Sequence, residues 1–124
     1  MRAATAKNFE PGIDFDFPPG VDPDEEAVIA LVKKTMEAMV NKEMSAFHAN
    51  LEMPTNNYLD ALIDSPRRYR FTGLEMIEPY DESNGRKNIR IRFEYEENGA
   101  IRKTDNTFTS RKDKEGNWKI ANID

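Results

Sequence analysis

Along this chain the apolar positions change period once. Between residues 22 and 41 they recur every three or four positions, at Val28, Leu31, Val32, Met36 and Met39 with Thr35 on the same face, which is the stripe of a helix with one buried side. From Arg67 onward the spacing becomes two. Ile89, Ile91, Phe93 and Tyr95 alternate with Arg90, Arg92, Glu94 and Glu96, as in a strand with one buried and one wet face. Three strand-type runs (87–97, 100–113 and 117–124) are separated only by glycine-centred turns, so the last third reads as an antiparallel meander. Helices followed by a curling sheet predict an α+β cone, with two or three N-terminal helices packed on a curved antiparallel sheet of four main strands.

The boundaries have local causes. Asp22-Pro23 starts the first helix, because aspartate caps free backbone N–H groups and proline at the first helical position loses no bond. Asp24, Glu25 and Glu26 then occupy the positive end of the helix dipole. A second helix is predicted over 44–51, with Met44, Phe47 and Leu51 inward, and a third over 55–63, between Pro54 and Ser65-Pro66. Tyr69 and Phe71 differ in parity from Leu74 and Met76, which predicts a bulge or bend at Gly73; the mismatch of Ile101 and Phe108 predicts a second bulge between them. Asn98-Gly99 is a two-residue hairpin turn, and Glu115-Gly116-Asn117 closes the next hairpin. Residues 1–21 form an arm ahead of a single domain, 22–124. Pro11-Gly12 and Pro18-Pro19-Gly20 bar a helix there, while Phe9, Ile13, Phe15 and Phe17 alternate with polar residues, so 13–17 is expected to add as an edge strand or lie in a groove.

Composition narrows the function classes. A length of 124 residues, 38% of them hydrophobic, suits one core. The chain has no cysteine, which excludes disulfides and thiolate metal sites. The net charge of −5 argues against nucleic-acid binding. Acidic residues gather early (Asp14, Asp16, Asp22, Asp24, Glu25, Glu26), whereas Arg67, Arg68, Arg70, Arg86, Lys87, Arg90, Arg92, Arg102 and Lys103 make the strands basic, so a sheet face can meet the acidic arm. No window approaches the ~18 apolar residues of a membrane span. A soluble cytoplasmic protein is expected, or an exported domain if a leader has been removed.

The ending Gly116-Asn117-Trp118-Lys119-Ile120-Ala121-Asn122-Ile123 resembles the G-x-W-K-I-x-x-I strand that closes members of the NTF2-like (cystatin-like, SnoaL-type) superfamily, and Asn41-Lys42-Glu43-Met44-Ser45-Ala46-Phe47 is similar to their N-K-D-x-x-A-F step between the first two helices. The resemblance covers about 22–124. It implies the cone fold and a member of bacterial type, and leaves function open, because the superfamily holds isomerases, cyclases, dehydratases, transport factors and immunity proteins. One departure stands out: 52–57 is too short for the β-hairpin that typical members carry there, which implies a shallower cone.

Candidate chemistry is sparse. His48 is the only histidine, so a multi-histidine metal site is excluded. As a general base it would need partners, and the resemblance to isomerases and dehydratases supplies Asp60 and Tyr58 as candidates, with Tyr69 and Tyr95 as further tyrosines. Trp118 reads as a core anchor of the last strand. Met36, Met39, Met44, Met53 and Met76 suit a core or an adaptable pocket. Met36, Phe47, Tyr69, Phe93, Tyr95 and Trp118 are the residues expected to line a pocket inside the cone. No metal and no cofactor are expected. The leading reading is a non-enzymatic binding module for a protein partner or a small apolar ligand, pairing as a homodimer through its sheet. The alternatives are a SnoaL-like isomerase, dehydratase or cyclase acting on a carbonyl compound, and an accessory or immunity-type protein-binding domain.

Overall fold

The computed structural model describes residues 9–54 and 58–124. Helix α1 spans Pro23–Asn41 and starts as its sequence demands: the Asp22 carboxylate accepts the Glu25 N–H at 2.8 Å, with proline in the first turn. It ends where Lys42 turns into the left-handed region, φ 56°. Helix α2, Met44–Ala49, buries Phe47. It stops two residues short of the expected 51, because the next segment pairs with the sheet instead. Asn50 C=O accepts from Ile120 N–H at 2.7 Å and Glu52 N–H donates to Ile120 C=O at 2.8 Å, which puts Leu51 in a single bridge on the outer edge of the last strand. The expected third helix is a 3-10 turn, Tyr58–Asp60, running into α3, Ala61–Asp64. Positions 55–57 of that expectation lie outside the described residues.

The sheet contains β1 (Gly12–Ile13), β2 (Arg68–Ile77), β3 (Arg86–Glu97), β4 (Ala100–Lys112) and β5 (Trp118–Ile123), in that spatial order. It therefore has five strands where four were expected, and it is mixed rather than wholly antiparallel. The added strand is the arm's own: Gly12 and Ile13 pair parallel to Arg70 and Phe71, the Asp14 N–H reaches Phe71 C=O at 2.8 Å, and the Asp14 carboxylate meets Arg70 at 2.6 Å. Phe15 and Phe17 then turn together against the core, ring centroids 5.0 Å apart. With β1 on one edge and Leu51 on the other, both outer strands are partly covered, which limits edge-to-edge association.

Strand β2 carries two register steps, between Phe71 and Gly73 and between Leu74 and Met76, around the predicted bend. The second expected bulge is absent from the β3–β4 ladder, which runs unbroken from Arg86 opposite Arg111 to Glu97 opposite Ala100. Ile101 and Phe108 differ in parity because they lie on opposite faces: Ile101 pairs with Glu96 on the convex side, and Phe108 with Ile89 on the concave side. The irregularity sits one ladder further, between Thr109 and Ser110 against β5. Asn98 and Gly99 both have positive φ, 54° and 85°, the two-residue turn whose twist matches the flanking strands.

The concave face is filled. Tyr69, Phe71, Ile89, Ile91, Phe93, Phe108 and Ile120 meet Val28, Val32, Met36 and Met39 of α1 and Phe47 of α2, each 3% exposed or less. The convex face is charged, and three of its basic residues are answered across strands, by Arg68–Glu96 at 2.6 Å, Arg92–Glu75 at 3.7 Å and Lys103–Glu94 at 3.9 Å. Among the described residues, no helix is long and apolar enough to cross a membrane, and no group of three or more histidines or carboxylates is placed to hold a metal ion.

Candidate functional site

At the N-terminal end of α1 the helix, the β2–β3 loop and the start of β5 leave a cleft of about 110 Å³ lined by Asp22, Asp24, Glu25, Tyr80, Lys87 and Trp118. The parity that buries Ile89, Ile91 and Phe93 also points Lys87 inward, and the helical stripe through Val28 and Val32 brings Glu25 to the same place. Their side chains meet at 2.9 Å, each only 9% exposed. Glu25 also accepts the Val21 N–H at 3.2 Å. Gly20 permits this close approach of arm to helix: a Cβ there would lie 2.7 Å from Glu26 N, and its N–H bonds the Glu26 carboxylate at 2.6 Å.

The opposite wall is an aromatic corner. Asp81 folds the β2–β3 loop by accepting Ser83 N–H and Oγ–H at 3.0 and 2.6 Å, and it pairs with Arg86 to close the loop. Tyr80 is thereby set edge-on to Trp118, centroids 6.2 Å apart at 88°. Trp118 Nε1 donates to Asp24 at 3.1 Å, Lys112 Nζ lies 3.4 Å from the same carboxylate, and that ammonium stands 5.5 Å from the indole centroid. The indole hydrogen bond, aided by Lys112, holds the Asp24 carboxyl below its ordinary value. Val21 and Tyr80, 83% and 49% exposed, leave apolar surface beside the cleft. Trp118 also borders an open groove of about 460 Å³ along the outer face of α1, floored by Ala27, Ala30 and Leu31 and flanked by Lys34 and Lys119.

Of the residues expected to line an interior pocket, Met36, Phe47, Tyr69 and Phe93 are packed into the core. Tyr95 is half-buried under the Arg67 guanidinium, 4.3 Å from its ring centroid. Trp118, expected as a core anchor, sits half-buried at the rim, where it borders two of the clefts described. Met44 is half-buried and Met53 and Met76 are exposed, so the methionines do not gather around one space. His48 and Asp60 come together: His48 Nε2 donates to Asp60 Oδ1 at 2.8 Å, with the side chains 33% and 28% exposed. Tyr58 does not complete a triad with them, since its hydroxyl bonds Asn122 of β5 and the residue is 73% exposed. Sequence reasoning missed Tyr80 and Lys87 as site residues, and it read Asp22, Asp24 and Glu25 only as the cap and first turn of α1. For Lys87 the signal was present, a lysine at an inward position of a clean two-residue alternation; Tyr80 offered none, because a loop places it.

No protein-family model and no curated protein matches the sequence. Solved structures do match in shape. Rd1NTF2_05, an NTF2 design with five substitutions, superposes with a TM-score of 0.59 at 13% identity, over 81% of this chain and 96% of that one. The fold is NTF2-like. An NTF-2-like protein of unknown function from Shewanella oneidensis MR-1 aligns with a TM-score of 0.55 at 14% identity, over 79% of this chain and 94% of the other. At such identities the likeness speaks for the NTF2-like cone and not for an activity.

Proposed function

We propose that this NTF2-like chain is a non-enzymatic binding module that holds a protein partner at the Tyr80–Trp118 corner. One observation carries the reading: the concave face is closed by packed side chains, while the exposed Tyr80 and half-buried Trp118 line a cleft at the end of α1 with the exposed Val21 beside it. A cleft of about 110 Å³ admits a side-chain head group but is small beside the roughly 300–1,000 Å³ of drug-sized sites, which favours the protein form of the reading over the apolar-ligand form. The paired charges of the convex face make a sheet-to-sheet homodimer the less favoured partner. Native mass spectrometry against the denatured mass is the test. The expected result is a protein free of small-molecule mass; a retained lipid-sized adduct lost on denaturation would overturn the reading.

The 2.8 Å His48–Asp60 contact supports a second reading, a SnoaL-like enzyme that removes a proton next to a carbonyl. In it Asp60 orients the ring through Nε2 and His48 Nδ1 is the base. Solvent-deuterium incorporation into a panel of ketones, abolished by both His48→Gln and Asp60→Asn, would establish it; no incorporation, or incorporation indifferent to the variants, removes it.

A further inference from the structure

We infer that the cleft between Tyr80, Trp118 and the first turn of α1 receives a primary ammonium group, the end of a lysine side chain on the partner. The inference rests on the binding-module reading and adds the chemistry recognised. Three carboxylates line the cleft, Asp22, Asp24 and Glu25, against one lining ammonium, Lys87, which Glu25 already answers at 2.9 Å, and that of Lys112, which reaches Asp24 at 3.4 Å from outside the lining. The dipole of α1 places only about half a positive charge at this end, so the local balance stays negative. Two aromatic rings meeting at 88° add a wall whose faces attract cations.

The chain itself shows what such a group does here. Lys112 brings its ammonium to 3.4 Å from Asp24 and 5.5 Å from the Trp118 centroid, a carboxylate and an indole face acting on one cation. Lys112 belongs to the neighbouring strand, does not line the cleft, and is 47% exposed at its side chain, so it can swing away when a second ammonium arrives. A primary ammonium fits better than a quaternary one, because its N–H groups can donate to Asp22 and Asp24, whereas a methylated head meets only the rings and the charge. Asp24 is already the acceptor of the Trp118 indole N–H, so occupancy at its carboxylate is felt at that hydrogen.

Trp118 is the sole tryptophan, and its indole N–H is bonded to Asp24 of the cleft, so that resonance reads occupancy at this carboxylate, with the fluorescence as a second signal. The full chain is titrated with n-butylammonium chloride, with tetramethylammonium chloride, and with sodium chloride at matched ionic strength. The expected result is a saturable indole shift with butylammonium, weaker with tetramethylammonium and absent with sodium. Lys112→Ala, which removes the resident competitor, should tighten butylammonium about threefold, and Asp24→Asn should weaken it about fivefold, the scale of one exposed cation contact. Tyr80→Leu, at an exposed loop position, should weaken it as well without touching the core. Equal shifts with all three salts, no saturation, weaker binding by Lys112→Ala, or tighter binding of tetramethylammonium than of butylammonium would each overturn the inference. Partner retention that still depends on Tyr80 would then leave the binding-module reading standing.

Discussion

Glu25 of α1 and Lys87 of β3 form an ion pair 2.9 Å long with both side chains only 9% exposed, which ties the helix to the sheet at the mouth of the cleft. Each charge is held in place of water by the other. Removing one partner strands the other, and such losses run at about 3–5 kcal/mol, whereas replacing both with apolar residues of similar volume is often neutral. Lys87→Ala is therefore expected to lower the unfolding free energy by about 3 kcal/mol, and Lys87→Met with Glu25→Leu to recover most of it. Urea denaturation of the single and double variants checks this; a single variant within about 0.5 kcal/mol of the parent would show that the pair is dispensable.

Ser110 lies opposite Lys87 in the ladder, fully buried, and its hydroxyl has no hydrogen-bond partner among the described residues. An unsatisfied buried hydroxyl costs roughly 1–3 kcal/mol. Ser110→Ala removes that cost with little change of volume and is expected to raise the urea midpoint at unchanged m. A lower midpoint would mean that the hydroxyl is bonded in solution.

Acid sensitivity follows from the paired carboxylates. Arg111 grips Glu52 with two of its guanidinium nitrogens, Nε and Nη2, at 2.8 and 2.5 Å, and Arg68 together with the Gly99 N–H holds Glu96, so both carboxyls titrate below their ordinary 4.5. A carboxyl whose pKa is lower folded than unfolded contributes stability that is complete above the unfolded value and is lost as pH falls through the folded one. Stability should thus hold down to about pH 5 and decline below pH 4.5. Glu52→Gln is expected to cost about 0.5–1 kcal/mol at pH 7, discounted for the exposure of Arg111, and to match the parent once both are protonated. A constant difference down to pH 2 would place the effect in packing rather than charge.

The sequence made local features legible and left assembled ones obscure. Asp22-Pro23 predicts the start of α1 and Asn98-Gly99 the central hairpin because each signal acts within four residues. The end of α2 is decided at a distance: Leu51 leaves the helix because Ile120, nearly seventy positions away, offers both backbone partners. The arm's alternation predicted an edge strand over 13–17, but the strand forms only at Gly12–Ile13, because the pairing partners Arg70 and Phe71 of β2, far along the chain, set where it lies. The site follows this division. His48 and Asp60 were nameable as types, yet only the turn before α3 sets them 2.8 Å apart, and the Tyr80–Trp118 corner exists because one loop is folded back by Asp81.

The central claim is that partner recognition runs through the aromatic corner. Its most direct measurement is affinity capture from source-cell lysate with the parent chain, Tyr80→Ala and Met76→Ala side by side, both variants removing an exposed apolar side chain (49% and 51% exposed) at separate places on the surface. The expected result is a protein retained by the parent and by Met76→Ala and lost by Tyr80→Ala, with all three equally folded by circular dichroism. Retention indifferent to Tyr80, or lost only with Met76→Ala on the convex face, would contradict the account.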